Sequence, residues 1–196
     1  MTRHQVAGTL WPESTGEHAG ASLRSAVFRL EGPARQAVKV TAQDLGLHEG
    51  LVVDVHHSQA LAHRLIDSDV QRAERDIGAA AVSALSDDLL PGWYDDWAVI
   101  AAEDWRQLRM HALEAVAARL TAADRLAEAA AAALTAVRAE PLRESARAAL
   151  IRVHMAEGNQ SDALGEYERY RVLLQAELGI RPTSRLREVL AGLEPR

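Results

Sequence analysis

Four polar side chains, His18, Ser22, Ser25 and Arg29, recur at the i, i+4, i+7, i+11 spacing of one helical face, with Arg24 on an adjoining flank. Their chemistry is that of forked or single hydrogen-bond donors and acceptors aimed away from a core. Such a stripe either grips an external polar ligand or is simply a solvated face. Arg35 and Lys39 follow shortly as fork and point cations.

Other constellations carry less. His56, His57 and His63 near Asp54 and Asp67 could suggest a metal, but the spacing matches no ligand pattern. Trp93, Tyr94, Trp97 and Trp105 could form an aromatic cage; the plainer reading packs Trp97, Leu108 and His111 in a core. Asp87-Asp88 and Asp95-Asp96 read as caps and solvated acids rather than a catalytic carboxylate pair. There is no cysteine, so thiolate chemistry and disulfides are excluded, and no glycine-rich phosphate loop occurs. No enzyme, metal or cofactor is expected from this inventory.

The elements that must position these residues divide into two groups. Thr2-Arg3-His4-Gln5 opens a helix with a capping box, and Trp11-Pro12 ends it. Ser14 to Glu17 reads as a second capping box, starting a helix from Thr15 to Leu30. Its apolar stripe is Ala19, Leu23, Ala26 and Leu30. Glu31-Gly32-Pro33 breaks the pattern. Ala37–Thr41 and Gly50–Val55 are β-branched and short, with turn chemistry at Gln43-Asp44-Leu45-Gly46 between them, which predicts a β-hairpin. Helix, turn, helix, hairpin is the order of a winged helix.

Beyond residue 58 the pattern is helical, with segments expected near 58–66, 69–85, 94–121, 124–138, 142–156, 160–177 and 183–192. Ala129 and Ala163 lie 34 residues apart at equivalent places, and Pro141 follows the first unit. That period, with small residues at a helix crossing, is a tetratricopeptide-like signature. The long helix around Trp97–Leu120 should supply the neighbour that two units lack.

The charge is uneven. Residues 1–40 hold five bases (Arg3, Arg24, Arg29, Arg35, Lys39) and three acids (Glu13, Glu17, Glu31), a net +2, while the rest holds 17 bases and 25 acids, a net −8; together they make the −6 of the whole chain. Any contact with a polyanion is therefore expected at the front, with the remainder facing protein or solvent. No run approaches the ~18 apolar residues of a membrane helix and the N-terminus has no signal-peptide core, so a cytoplasmic location is expected.

The stretch Leu89-Leu90-Pro91-Gly92-Trp93-Tyr94-Asp95-Asp96-Trp97, with Arg106-Gln107-Leu108-Arg109, Pro141-Leu142-Arg143-Glu144-Ser145-Ala146, Gly158-Asn159, Ala163-Leu164 and Glu177-Leu178-Gly179-Ile180-Arg181-Pro182, resembles the bacterial transcriptional activator domain of the SARP family, the Streptomyces antibiotic regulatory proteins. Leu10-Trp11-Pro12, Ala21 to Ser25 and Arg29-Leu30 are similar to the second and recognition helices of the family's winged domain. Family members place short strands and a first helix before this point, so the resemblance implies a shortened winged helix-turn-helix over 1–55, then an all-α tetratricopeptide-like activator domain over 58–196, in a mainly α fold.

The resemblance also implies function. The chain would be a DNA-binding transcriptional activator, its Thr15–Leu30 helix in the major groove of double-stranded promoter DNA. His18, Ser22, Arg24, Ser25 and Arg29 would face the bases or the backbone, and Arg35 and Lys39 the phosphates. The helical half would carry homodimerisation and contact with RNA polymerase. The alternative is a helical-repeat interaction module that has lost autonomous DNA binding.

Overall fold

The computed structural model describes residues 1–67 and 76–191. It divides into two compact units, Met1–Val53 and Asp54–Arg196.

In the first unit, α1 (Arg3–Leu10) begins where the sequence places a cap. Thr2 Oγ1 accepts from the Gln5 backbone and the Gln5 side chain accepts from the Thr2 backbone. Helix α2 (Gly16–Phe28) is capped one residue later than Ser14: Thr15 takes the His18 N–H. The two helices close on Ala7, Ala19 and Leu23, with Val6, Trp11, Val27 and Leu45 packed around them. This core is small, so each member matters to the angle at which α2 is held.

Residues 32–37 differ from expectation. Gly32 adopts φ +55°, and Pro33 sits in the first turn of a short helix, α3 (Gly32–Ala37), where its missing N–H costs nothing. The hairpin exists, but its second strand is not Gly50–Val55. Strands β1 (Val38–Val40) and β2 (Leu45–Leu47) pair antiparallel, Val38 with Leu47 and Val40 with Leu45. The turn is earlier because Thr41 and Asp44 close it: Thr41 N–H donates to Asp44 O at 3.0 Å and Thr41 Oγ1 accepts from Asp44 N at 2.9 Å. The chain then turns again at His48–Leu51, with Gly50 at φ +89°, so Val52 and Val53 never reach a ladder. Their β-branched character had no partner strand to act on. Instead Met1 and Thr2 run along the free edge of β2, through Leu45 N–H to Met1 O at 3.0 Å and Arg3 N–H to Gln43 O at 2.8 Å.

Among the described residues, the regular elements of the second unit are helices: α4 (Asp54–Ile66), α5 (Ala79–Ala84), α6 (Asp96–Ala122), α7 (Leu126–Ala139), α8 (Glu144–Ala156), α9 (Gln160–Leu178) and α10 (Ser184–Val189). Helix α4 starts at Asp54, inside the segment expected as strand. The helix expected over 69–85 is not continuous. Its first part, 69–75, lies outside the described residues, and Gly78 at φ +149° separates Asp76 and Ile77 from α5.

Two antiparallel helix pairs, α6/α7 and α8/α9, stack through α7 against α8. Ala129, Ala132, Ala133 and Ala136 are fully buried on α7, as is Ala163 on α9, so the 34-residue spacing does mark crossings where backbones approach. Leu113, Val116 and Leu120 of α6 fill the first layer; Ile151, Tyr170, Leu174 and Leu186 fill the last. Among the described residues, no helix is long and apolar enough to cross a membrane.

Candidate nucleic-acid interface

Helix α2 has one face held and one face free. Ala19 and Leu23 are buried, while His18, Arg24, Ser25 and Arg29 are exposed and Ser22 is half-buried. The 3.6-residue period forces this division once the apolar pair docks on α1. Gly20 leaves room beside Arg24: a Cβ there would stand 3.6 Å from its guanidinium, which reaches back toward the start of the helix. Arg29 donates from Nε to Ser25 O at 3.3 Å. Arg24, Ser25, Phe28 and Arg29 line one shallow open depression.

The two flanking cations are placed differently from one another. Arg35 stands exposed on α3, not on the hairpin. Lys39 points outward from β1, with its ammonium 3.7 Å from the Glu49 carboxylate. Arg3 bonds Thr41 O at 3.3 Å and so fastens α1 to the hairpin turn. Among the described residues Arg24, Arg29 and Arg35 have no ionic partner. Over Met1–Val53 the bases (Arg3, Arg24, Arg29, Arg35, Lys39) equal the acids (Glu13, Glu17, Glu31, Asp44, Glu49), so any attraction for a polyanion is local to α2 and α3.

Phe28, the only phenylalanine, was not singled out from sequence and is 90% exposed. It lies one turn beyond Arg24 on the same face. That i, i+4 relation was legible; an apolar residue between two arginines simply reads as core until its surroundings are known.

In the helical unit the motif residues tie helices together. Arg109, buried, donates to Ser86 O at 2.8 Å and pairs with Asp88. Arg143 bonds Glu114 Oε1 at 2.6 Å, which also accepts from Ser145 Oγ at 2.7 Å. The Glu144 carboxylate accepts from Thr183 N–H at 3.0 Å and from its hydroxyl. Arg147 pairs with buried Glu166 and lies 5.7 Å from the Tyr170 ring centre, while Tyr170 donates to Leu142 O at 3.0 Å. Burial acts to raise the Glu166 carboxyl, but hydrogen bonds from Arg169 and Arg147 outweigh it and hold it below the ordinary carboxylate range. Hydrogen bonds from Arg106 and then Gln107 bring Glu103 down to about 2. Glu166 ties α9 to α8 through Arg147, whereas Glu103 bonds along its own helix, and the two do not converge on a cleft.

The remaining candidates fall out as structure. His56, His57 and His63 are exposed along α4, and no group of three or more His, Asp or Glu among the described residues could hold a metal. Trp105 is buried, with Nε1 donating to Asp87 O at 2.9 Å. Trp93 and Trp97 meet edge to face at 5.8 Å, Trp97 half-buried and Trp93 and Tyr94 exposed. Leu108 packs on the core, but His111 does not; it is exposed on α6, with Nδ1 3.2 Å from Arg143 Nη2. One helical step past Met110 carries it off the buried face.

Residues 51–193 match the family described as bacterial transcriptional activator domain. No curated protein matches the sequence. Among solved structures the chain is similar to Mycobacterium tuberculosis EmbR in complex with a low-affinity phosphopeptide, at a TM-score of 0.62 and 23% identity. That likeness covers 100% of this chain and 56% of the other, so this chain spans a little over half the length of its structural neighbour. At this identity the likeness bears on the fold, and on that ground it agrees with a hairpin-bearing helical unit followed by stacked helix pairs. With the family match covering well over half its length, this chain belongs to the bacterial transcriptional activator domain family.

Proposed function

We propose that this chain activates transcription by binding promoter DNA through α2. The observation that carries the reading is the free face of α2, where Arg24, Ser25 and Arg29 stand exposed over a backing of Ala19 and Leu23. A helix of this width fits the major groove, where each base pair offers its own pattern of donors and acceptors. An arginine there either clamps a guanine edge or holds a phosphate. His18 and Ser22 extend the same face, and Arg35 and Lys39 reach backbone phosphate, Lys39 after leaving Glu49. The hairpin acts as the wing. The helical unit dimerises and contacts RNA polymerase, and two linked modules offset the weak ionic grip of each. The chemistry is recognition, with no catalytic step.

The test is binding of the full chain to the promoter DNA beside its own gene, followed by fluorescence anisotropy over a range of salt. The four cations, Arg24, Arg29, Arg35 and Lys39, predict a log–log salt slope of at most about −3.6 per protomer, from about −0.9 per phosphate neutralised. Arg24→Ala and Arg29→Ala each weaken binding, by about 1–3 kcal/mol for a base-clamping arginine or with about one unit less slope for a phosphate contact. If neither substitution changes binding, α2 is not the reading helix.

A second reading has one observation behind it. Only Ala7, Ala19 and Leu23 are wholly buried in the first unit, a small core for holding a reading helix rigid. In that reading the helical unit works as a protein-interaction module without autonomous DNA binding. It predicts no salt-dependent promoter shift but retained self-association.

A further inference from the structure

The only phenylalanine of the chain sits at the last helical position of α2 with 90% of its surface exposed. A single bare apolar side chain is common on a protein surface, and Tyr94 and Val52 are also exposed; Phe28 differs in standing on a free helix face between two arginines that are unpaired among the described residues. Its neighbours restrict what covers it. Arg24 lies four residues before it, Arg29 immediately after, and both border the same shallow depression together with Ser25. Neither arginine has an ionic partner among the described residues. An occupant must therefore offer an apolar spot ringed by negative charge and hydrogen-bond acceptors. A core-like protein patch satisfies the ring but strands two guanidiniums. The major groove satisfies all three side chains: the thymine 5-methyl is its apolar feature, and guanine O6 and N7 and the phosphates are acceptors within the same few base pairs.

We propose that Phe28 is a specificity-determining residue that packs on the 5-methyl group of a thymine, next to the positions contacted by Arg24 and Arg29. The inference rests on α2 being the reading helix and adds what that helix demands at one base pair. Arginines alone would favour guanine-rich sites; the ring adds a requirement for thymine. Phe28 also lies at the C-terminal end of α2, so the thymine falls toward the end of the site read by that end, flanked by the contacts of Arg24 and Arg29.

The experiment selects bound duplexes from a randomised 30-base-pair library with the full chain. The selected site is then resynthesised with deoxyuridine replacing each thymidine in turn. Uracil keeps every hydrogen-bonding group and lacks only the methyl. At one position per bound protomer the swap weakens wild-type binding roughly four-fold, the value of one buried methyl group. Phe28→Ala binds the thymine and uracil duplexes equally, while Phe28→Leu, still apolar, keeps part of the difference. Circular dichroism of both variants checks that α2 stays folded.

If wild type selects a site but no deoxyuridine swap matters, or Phe28→Ala retains the full difference, the role of Phe28 is overturned while the reading helix stands. If the protein selects no sequence and Arg24→Ala behaves as wild type, the reading helix fails and this inference with it. If Phe28→Ala instead abolishes self-association in sedimentation and leaves base selectivity intact, the ring belongs to a protein interface and the proposal is wrong.

Discussion

Removing the Glu166 carboxylate should cost the helical unit far more than its single ion pair suggests. Glu166 is 5% exposed on α9 and meets Arg147 of α8, itself 9% exposed. In Glu166→Leu the Arg147 guanidinium stays buried with two long contacts to Pro141 O, at 3.4 Å each, and the face of Tyr170. Breaking one side of a buried pair costs about 3–5 kcal/mol, and the surviving carbonyl contacts bring the expectation to about 3 kcal/mol. For a chain of this length that lowers Tm by about 6–12 °C. Arg169, whose side chain is 65% exposed, also bonds Glu166, at 2.5 Å, yet Arg169→Ala should cost less than about 1 kcal/mol because water screens it. The double variant Arg147→Met, Glu166→Leu should recover most of the loss, since two apolar side chains of similar volume leave no charge stranded. Urea unfolding at pH 7 of wild type, Arg147→Met, Glu166→Leu, their double variant and Arg169→Ala, followed by circular dichroism, gives the Arg147–Glu166 coupling energy directly. The reasoning is refuted if Glu166→Leu is no worse than Arg169→Ala, or if the double variant is as unstable as the sum of its singles.

Acid should unfold the protein through the same class of contact. Glu103, held near 2, and Glu166, held below the ordinary range, bind protons less readily folded than unfolded. Their stabilisation is complete above the usual carboxylate pKa of about 4.5 and is lost as pH falls from there toward 2. Tm measured from pH 7 to 2.5 should be level above pH 5 and drop below 4.5, with part of the drop absent in Glu166→Gln and little change in Glu103→Gln, whose 51% exposed side chain water screens. Ala163→Leu, at a wholly buried crossing of α8 and α9, should destabilise by about 1–3 kcal/mol or more by overpacking, whereas Ala131→Leu on the exposed face of α7 should stay within about 0.5 kcal/mol. Equal effects in urea would show that the alanine spacing does not mark a close approach.

Local chemistry wrote the parts of this molecule that depend on near neighbours in the chain. The Thr2–Gln5 capping box, the ends of α6 to α9, the apolar stripe of α2 and the Ala129–Ala163 crossings follow from periodicity and capping, because a helix satisfies its own backbone and needs only one face covered. The polar stripe of His18, Ser22, Ser25 and Arg29, with Arg24 on its flank, was legible for the same reason. The hairpin register was not. Strands need a partner, and whether Leu45–Leu47 or Gly50–Val55 pairs with Val38–Val40 turns on Thr41 and Asp44 closing a tight turn and on Met1 and Thr2 lying along the other edge. Nor could the chain order show that Arg3 fastens the hairpin, that Lys39 faces Glu49, that His111 lies outside the core, or that Phe28 is left bare. Those outcomes depend on which side chains from distant segments arrive at the same place, and only the packed structure fixes that.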